Sequence, residues 1–283
     1  MKLIVCSTQD VASMNICNTL LTLNDFDTRK TGEYTFHLSE EISIVEIGER
    51  LIYADHLDLK LSKYIEFEEL LFASRHSSKD GRKIFTVHAT GNVASADYGG
   101  KPYSLAKPSP LTMKNYVLAM KEKIERKPEF EFTMEVTHHG PSEISKPSAF
   151  YEIGSTENEW KDEEAALLVA ECLLDAVRDR RKDWQIAVGV GGTHYAPRQT
   201  EIMLETTFTF GHNFAKYTFE GLNRDILIRA VRLSGADYIV YDEKSVVSSV
   251  KQLLADVSSD LEIELLKTKE VKRNFKLSDN MKK

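Results

Sequence analysis

Apolar and polar positions alternate along this chain in two periods, and the two periods take turns. Residues 2–8 form a continuous apolar run that reads as a buried strand. After Asp10 the apolar positions Val11, Met14, Ile16, Cys17, Leu20 and Leu21 fall on one helical face. Short strands are predicted at 42–47 and 51–54, and a small helix at 56–65. A strand at 70–73 then runs into Ser74-Arg75-His76-Ser77-Ser78. Residues 84–89 predict another strand, followed by a glycine-rich loop over 91–110 and a helix at 111–126. A loop of that length is more often functional than idle.

The second half repeats the pattern. Strands are predicted at 130–137, where alternation is strict, and at 148–153, with His138-His139-Gly140-Pro141 between them. One long helix is expected over 157–181. A strand at 184–190 leads through Gly191-Gly192-Thr193-His194 to a helix beginning near Pro197. The remainder reads as strand 207–211, helix 223–233, strand 237–241, helix 244–257 and strand 261–266. Strands alternating with helices predict a single α/β domain with a mixed, mainly parallel sheet flanked by helices, its site at the carboxyl ends of strands. No repeat or low-complexity linker marks a boundary, so the domain is expected over 1–266, with 267–283 a basic tail.

Composition narrows the function. Three well-separated cysteines without C-x-x-C spacing do not make a disulfide framework. No stretch of about 18 apolar residues occurs, so no membrane span is expected and the cytoplasm is the simplest address. A net charge of −7 argues against indiscriminate nucleic-acid binding, DNA included. That average conceals an asymmetry: residues 267–283 carry seven basic and two acidic residues, +5, against −12 for the rest. Such a tail suits RNA contact and equally suits a solvated, frayed terminus.

Six of the eight histidines, His76, His88, His138, His139, His194 and His212, lie within or just after predicted strands beside Gly, Ser or Thr. Adjacent His138 and His139 point to opposite faces of a continuing strand, so one metal holds both only if the chain turns at Gly140. Glu135 and Glu152 are carboxylates that suit a zinc set with these imidazoles, and equally suit solvent-facing strand positions. Gly191 and Gly192 offer backbone N–H groups to an anion. The dinucleotide fingerprint, the nucleotide P-loop and the nucleophile elbow are all missing. Arg75, His76, Ser77 and Lys79 suit phosphate or carboxylate recognition, and Arg198 adds charge to the same mouth.

The segments SRHSS at 74–78, HATGN at 88–92, YGG at 98–100, THHGP at 137–141, FYEIGS at 150–155, GVGGTHYAPRQT at 189–200 and FGH at 210–212 resemble the archaeal and plant type of D-aminoacyl-tRNA deacylase. The resemblance runs in the family's order to about residue 241. It implies hydrolysis of the ester joining a D-amino acid to tRNA, two zinc ions per subunit, and a fold like that of nucleoside phosphorylases and peptidyl-tRNA hydrolases. Aminoacylated tRNA is then the partner, and a monomer the expected state.

On that reading His138, His139, His194 and His212, with Glu152 or Glu135, surround the ester as metal ligands and general base. Gly191 and Gly192 donate to the oxyanion, and Arg75 and Lys79 meet the terminal phosphates. Gly140-Pro141 is a narrow element that excludes an L side chain, or else a trans proline ending a strand, cis bonds being about 5–6% of X–Pro bonds. A metal-free version has one neutral imidazole activating water. The rivals are a nucleoside phosphorylase or other small-molecule hydrolase, since fold does not decide chemistry, and a non-catalytic RNA-binding module.

Overall fold

A computed structural model describes residues 1–40, 42–179 and 181–278. The chain opens with β1 (Lys2–Ser7), whose residues beyond Lys2 are all buried, and α1 (Val11–Leu23). Asp10 caps α1 by accepting the Ser13 N–H (3.0 Å). Its other oxygen accepts the Arg75 N–H (3.0 Å) and so ties the helix start to the strand that carries the site.

An antiparallel hairpin follows, β2 (Asp27–Thr31) and β3 (Tyr34–Leu38), which the hydrophobic pattern does not reveal. The reason is position. β2 is an edge strand, exposed and charged, and such strands carry no apolar alternation. Next come β4 (Ser43–Ile47), a 3-10 turn at Leu51–Tyr53 and α2 (Leu57–Leu61). The turn replaces the strand expected at 51–54: only Leu51 and Ala54 are fully buried there, and a spacing of three is that of a 3-10 turn.

Four elements then complete the main sheet: β5 (Glu69–Arg75), β6 (Ile84–His88), β9 (Glu131–Met134) and β10 (Ser148–Gly154). Between them lie a two-residue pairing, β7 (Gly91–Asn92) with β8 (Ser104–Leu105), inside the long loop, and α3 (Pro110–Lys123). The sheet has eight strands in the order β2-β3-β4-β1-β5-β10-β6-β9. β5 runs parallel to β1 and β10, whereas β6 runs antiparallel to β10.

The helix expected over 157–181 is two, α4 (Glu157–Trp160) and α5 (Glu163–Arg178), with residue 180 outside the described residues. Asp162 breaks it: its backbone is extended and its side chain accepts the Ala165 N–H (2.9 Å), which starts a new helix.

The last third alternates as predicted: β11 (Gln185–Val190), α6 (Pro197–Glu205), β12 (Phe208–Phe214), α7 (Arg224–Ser234), β13 (Tyr238–Tyr241), α8 (Ser248–Leu261), β14 (Glu264–Lys267) and α9 (Thr268–Asn274). Its strands form a second, wholly parallel sheet in the order β12-β11-β13-β14. Thr137 N–H donates to Asn213 O (2.8 Å) and Val136 N–H to His194 O (2.9 Å), which binds the two sheets where the site lies. One buried cluster runs from Ile4 through Phe85, Met134 and Phe208 to Val271, so both sheets share a core.

The segment after 266 is not a frayed appendage over its described length. Val271 in α9 and Leu277 beyond it are buried, and α9 packs on α6. Residues 279–283 lie outside the described residues.

Candidate active site

Strand register places the site. The pairs Phe150–Phe72, Glu152–Ser74, Phe150–His88 and Glu152–Thr86 put these residues on one face of the sheet. Because β6 runs against β10, it delivers His88 beside Phe150, one pair below Glu152. The Phe150 ring stacks on Phe72 (4.8 Å) and on His88 (5.4 Å) and meets His139 edge-on (5.1 Å), so the cluster rests on packed aromatics.

After β9 the chain carries Glu135, His138 and His139 over this face. His139 has φ +40°, and the break in strand geometry brings its ring 4.4 Å from that of His138. The chain thus turns at His139, and the two rings share a site. His88 lies 4.2 Å from His138 and 4.8 Å from His139, centroid to centroid. His194, from the loop after β11, completes the group 4.6 Å from His138.

Each of three rings is pinned in the same manner. His88 Nδ1 donates to Ala89 O (3.1 Å), His138 Nδ1 to Val136 O (2.8 Å) and His139 Nδ1 to Gly140 O (2.6 Å). In a neutral ring, a backbone carbonyl holding Nδ1–H leaves Nε2 with its lone pair, as in metal-binding histidines; burial disfavours charge on His88, but Glu152 raises its pKa. His88 Nε2 and Glu135 Oε2 are buried without a hydrogen-bond partner, each facing an ionic neighbour, Glu152 at 3.7 Å and His76 at 3.3 Å. Burial, together with the neighbouring imidazoles, holds His138 well below the usual histidine range and His139 down to about 4. Both rings are therefore neutral at pH 7, the form that ligates.

Donor atoms of His88, His138 and His139 lie within 4.8 Å of one another. The same holds for Glu135, His138 and His194, and for His76, Glu135 and Glu152. Imidazole and carboxylate donors with two orphaned buried atoms fit zinc. The first and third sets share no residue; the second overlaps both.

The carboxylates bind the rest together. Glu135 Oε1 accepts from His194 Nε2 (2.7 Å), and His194 Nδ1 faces the Tyr217 hydroxyl (3.0 Å). His76 Nδ1 lies 3.3 Å from Glu135 and 3.6 Å from Glu152. Burial disfavours a charge on His76, yet the two carboxylates outweigh it and raise the ring to about 11. Burial likewise works against charge on both glutamates. His194 and His76 nonetheless hold Glu135 well below the usual range, and His76 and His88 bring Glu152 down to about 2.

His76, His138, His139, Glu152 and His194 line a cavity of about 540 Å³ together with Arg75, Ser77, Lys79, Arg50 and Tyr98, and His88 and Glu135 are buried beside them. The Arg75 guanidinium lies over the Trp160 ring (5.0 Å), and Tyr98 is 69% exposed at the rim.

Several expected residues sit elsewhere. His212 is buried in β12 with both nitrogens engaged, Nδ1 with Thr137 Oγ1 (3.0 Å) and Nε2 with Ala106 O (3.0 Å), so it is no ligand. Burial keeps it neutral, at about 4. Gly191 N–H donates to Phe214 O (2.8 Å) and Gly192 N–H to Ser245 Oγ (2.8 Å), so neither is available to an oxyanion. Arg198 pairs with Glu201 (3.2 Å) and lines a second groove. The Gly140-Pro141 bond is cis, but neither residue lines the cavity; Gly140 packs on the backbone of Ile52 and Gly100.

His88 belongs to the first donor set although the ligand candidates read from the sequence omit it; its position at a strand end beside Ala89-Thr90-Gly91 carries the same signal as the others. Tyr195 and Tyr217, which touch His76 and His194, had no signal of their own.

A family model described as D-aminoacyl-tRNA deacylase matches residues 63–266. A protein from Archaeoglobus fulgidus with that name is 68% identical over 98% of this chain and all of its own length. Namesakes from Methanosarcina mazei (38%, covering 98% of this chain and 95% of theirs) and Pyrococcus horikoshii (37%, covering 94% and 100%) are more distant. A crystal structure described as a conserved protein of unknown function, 68% identical, superposes with a TM-score of 0.97 over 98% of this chain and 99% of its own. The chain belongs to the D-aminoacyl-tRNA deacylase family.

Proposed function

We propose that this cavity hydrolyses the ester of D-aminoacyl-tRNA in the cytoplasm, releasing free D-amino acid and tRNA. Family membership supports the reaction. The observation that carries the site is the convergence of three imidazoles whose Nδ1 atoms are all taken by backbone carbonyls. His88, His138 and His139 would hold one zinc ion, and His76, Glu135 and Glu152 a second in exchange for the proton that the two carboxylates hold on His76, since these two sets are disjoint. When bound, zinc polarises an ester carbonyl and lowers the pKa of water to about 7.

The chain's own groups do the positioning and the proton transfer. Glu135 holds the Nε2–H of His194, which leaves Nδ1 as the basic nitrogen on the open side of the cavity. There it takes a proton from the attacking water and returns it to the departing 3′ oxygen. Tyr217 hydroxyl keeps the ring oriented when no substrate is present. Arg75 and Lys79 meet phosphate at the mouth, with Ser77 beside them.

The test is release of amino acid from D-tyrosyl-tRNA and L-tyrosyl-tRNA by purified protein, before and after chelation. Release from the D form alone, lost on chelation and restored by zinc, supports the full reading. D-selective release that survives complete metal removal keeps the deacylase and discards the metal; no release from either sinks both.

A further inference from the structure

A second groove, of about 640 Å³, lies between α6, the turn after β13, and α9. Its character is cationic. Lys244, Lys269, Arg273 and Lys276 line it, all exposed, and none has a carboxylate partner among the described residues. Arg198 and Lys272 add two more cations, bound to Glu201 at 3.2 and 3.0 Å.

Three acids share the groove, one of them ion-paired. Glu205 pairs with Lys272 (3.5 Å), Glu243 accepts from Thr268 Oγ1 (2.9 Å) and Asp242 accepts the Lys244 N–H (3.2 Å). Six cations against three carboxylates leave the described lining at +3, on a chain whose net charge is −7. Arg273 Nε donates to Asn274 Oδ1 (3.1 Å), and no ion pair holds Lys244, Lys269, Arg273 or Lys276 among the described residues.

The groove also stands close to the cavity. His194 lines the cavity and Arg198 lines the groove. They are four positions apart in the chain, a Cα span of at most about 14 Å even if fully extended. A strand whose last nucleotide occupies the cavity therefore has its next few phosphates within reach of α9.

We propose that this groove docks the sugar-phosphate backbone of the RNA whose 3′ end enters the histidine cavity. The assignment rests on the deacylase reading for the identity of the RNA, and on the groove's own charge for the contact. The partner is recognised by its phosphates and not by base sequence, since the groove presents ammonium and guanidinium groups at an exposed surface.

The experiment is equilibrium binding of uncharged tRNA to the full-length protein between 0.05 and 0.3 M salt (chosen range, roughly that over which counterion release is read). It compares the wild type with a triple variant, Lys269→Gln, Arg273→Gln and Lys276→Gln. Each lost phosphate contact should flatten the log–log salt slope by about 0.7–0.9. Three contacts correspond to a slope lower by about two and to roughly 10²-fold weaker binding near 0.1 M salt. The variant should melt as the wild type does and should hydrolyse D-tyrosyl-adenosine, which has no phosphate, at an unchanged rate.

A variant with the wild-type slope and affinity overturns the proposal, whatever the hydrolysis data show. Loss of D-tyrosyl-adenosine hydrolysis in the variant would also overturn it, because the change would then have reached the cavity. Failure of the wild type to cleave any D-aminoacyl ester would refute the deacylase reading, while the tRNA slope would still report on the groove.

Discussion

Replacing His88 by Phe separates a metal ligand from a core histidine. His88 is wholly buried, stacks on Phe150 at 5.4 Å and has an Nε2 without a partner. A phenyl ring preserves the stack and removes the lone pair. Zinc held by about four protein ligands contributes on the order of 10–16 kcal/mol, so one imidazole is worth about 3 kcal/mol, or roughly 10²-fold in affinity. With zinc at about 100 times the wild-type Kd, the native state gains about 2.7 kcal/mol; a 10²-fold weaker site gains only about 0.4 kcal/mol. At about 2–4 °C per kcal/mol for a chain of this size, zinc should raise the wild-type Tm by about 5–10 °C and the variant's by about 1 °C. Thermal melts of metal-stripped protein with and without zinc measure this directly, without reference to activity. The control is His212→Gln, which loses ring contacts in β12 and should lower the baseline Tm yet keep the full zinc shift. An undiminished zinc shift in His88→Phe would refute the assignment.

Three further outcomes follow from the same geometry. Glu135→Gln removes the charge that holds His194 and His76, and kcat should fall by about 10²–10⁴-fold with native circular dichroism retained; a loss below tenfold would deny Glu135 its role. Lys114 is fully buried in α3, donates to Met203 O and Thr206 O, and is pushed by burial down to about 7. The unfolded chain keeps that proton up to about pH 10.5, so native stability relative to Lys114→Met should rise between pH 7 and 10.5, by up to about 5 kcal/mol. Equal differences in urea midpoints at pH 7 and 9.5 would show that the two carbonyls keep the amine charged. In Gly140→Ala the new Cβ would meet Gly100 N at 2.4 Å and Ile52 O at 2.5 Å, both backbone, so stability should fall by about 1–3 kcal/mol; an unchanged Tm would contradict the packing.

Much of the architecture was legible because burial writes itself into the sequence. β1, β5, β10 and β11 read as apolar runs since the sheets are covered on both faces, and α7 shows its buried stripe through Ile226, Leu227, Ala230 and Val231. β2 escaped because an exposed edge strand needs no apolar period, β3 because its five residues YTFHL interleave aromatics with Thr and His, and the 51–54 run misled because two apolar residues three apart pack as well from a turn.

The sequence by itself determined the alternation of strands and helices, the family, and the places where histidines end strands. It could not rank those histidines, because a ligand differs from a core residue by the partner of its second nitrogen, and that partner comes from elsewhere in the chain. His212 has both nitrogens occupied by Thr137 and Ala106, whereas His88 has one without a hydrogen bond, beside His138 and His139 and 3.7 Å from Glu152. Only the antiparallel register of β6 on β10 and the turn at His139 bring those three rings together. In the same way, only the packing of α9 on α6 gathers a charged C-terminal segment into a groove next to the cavity.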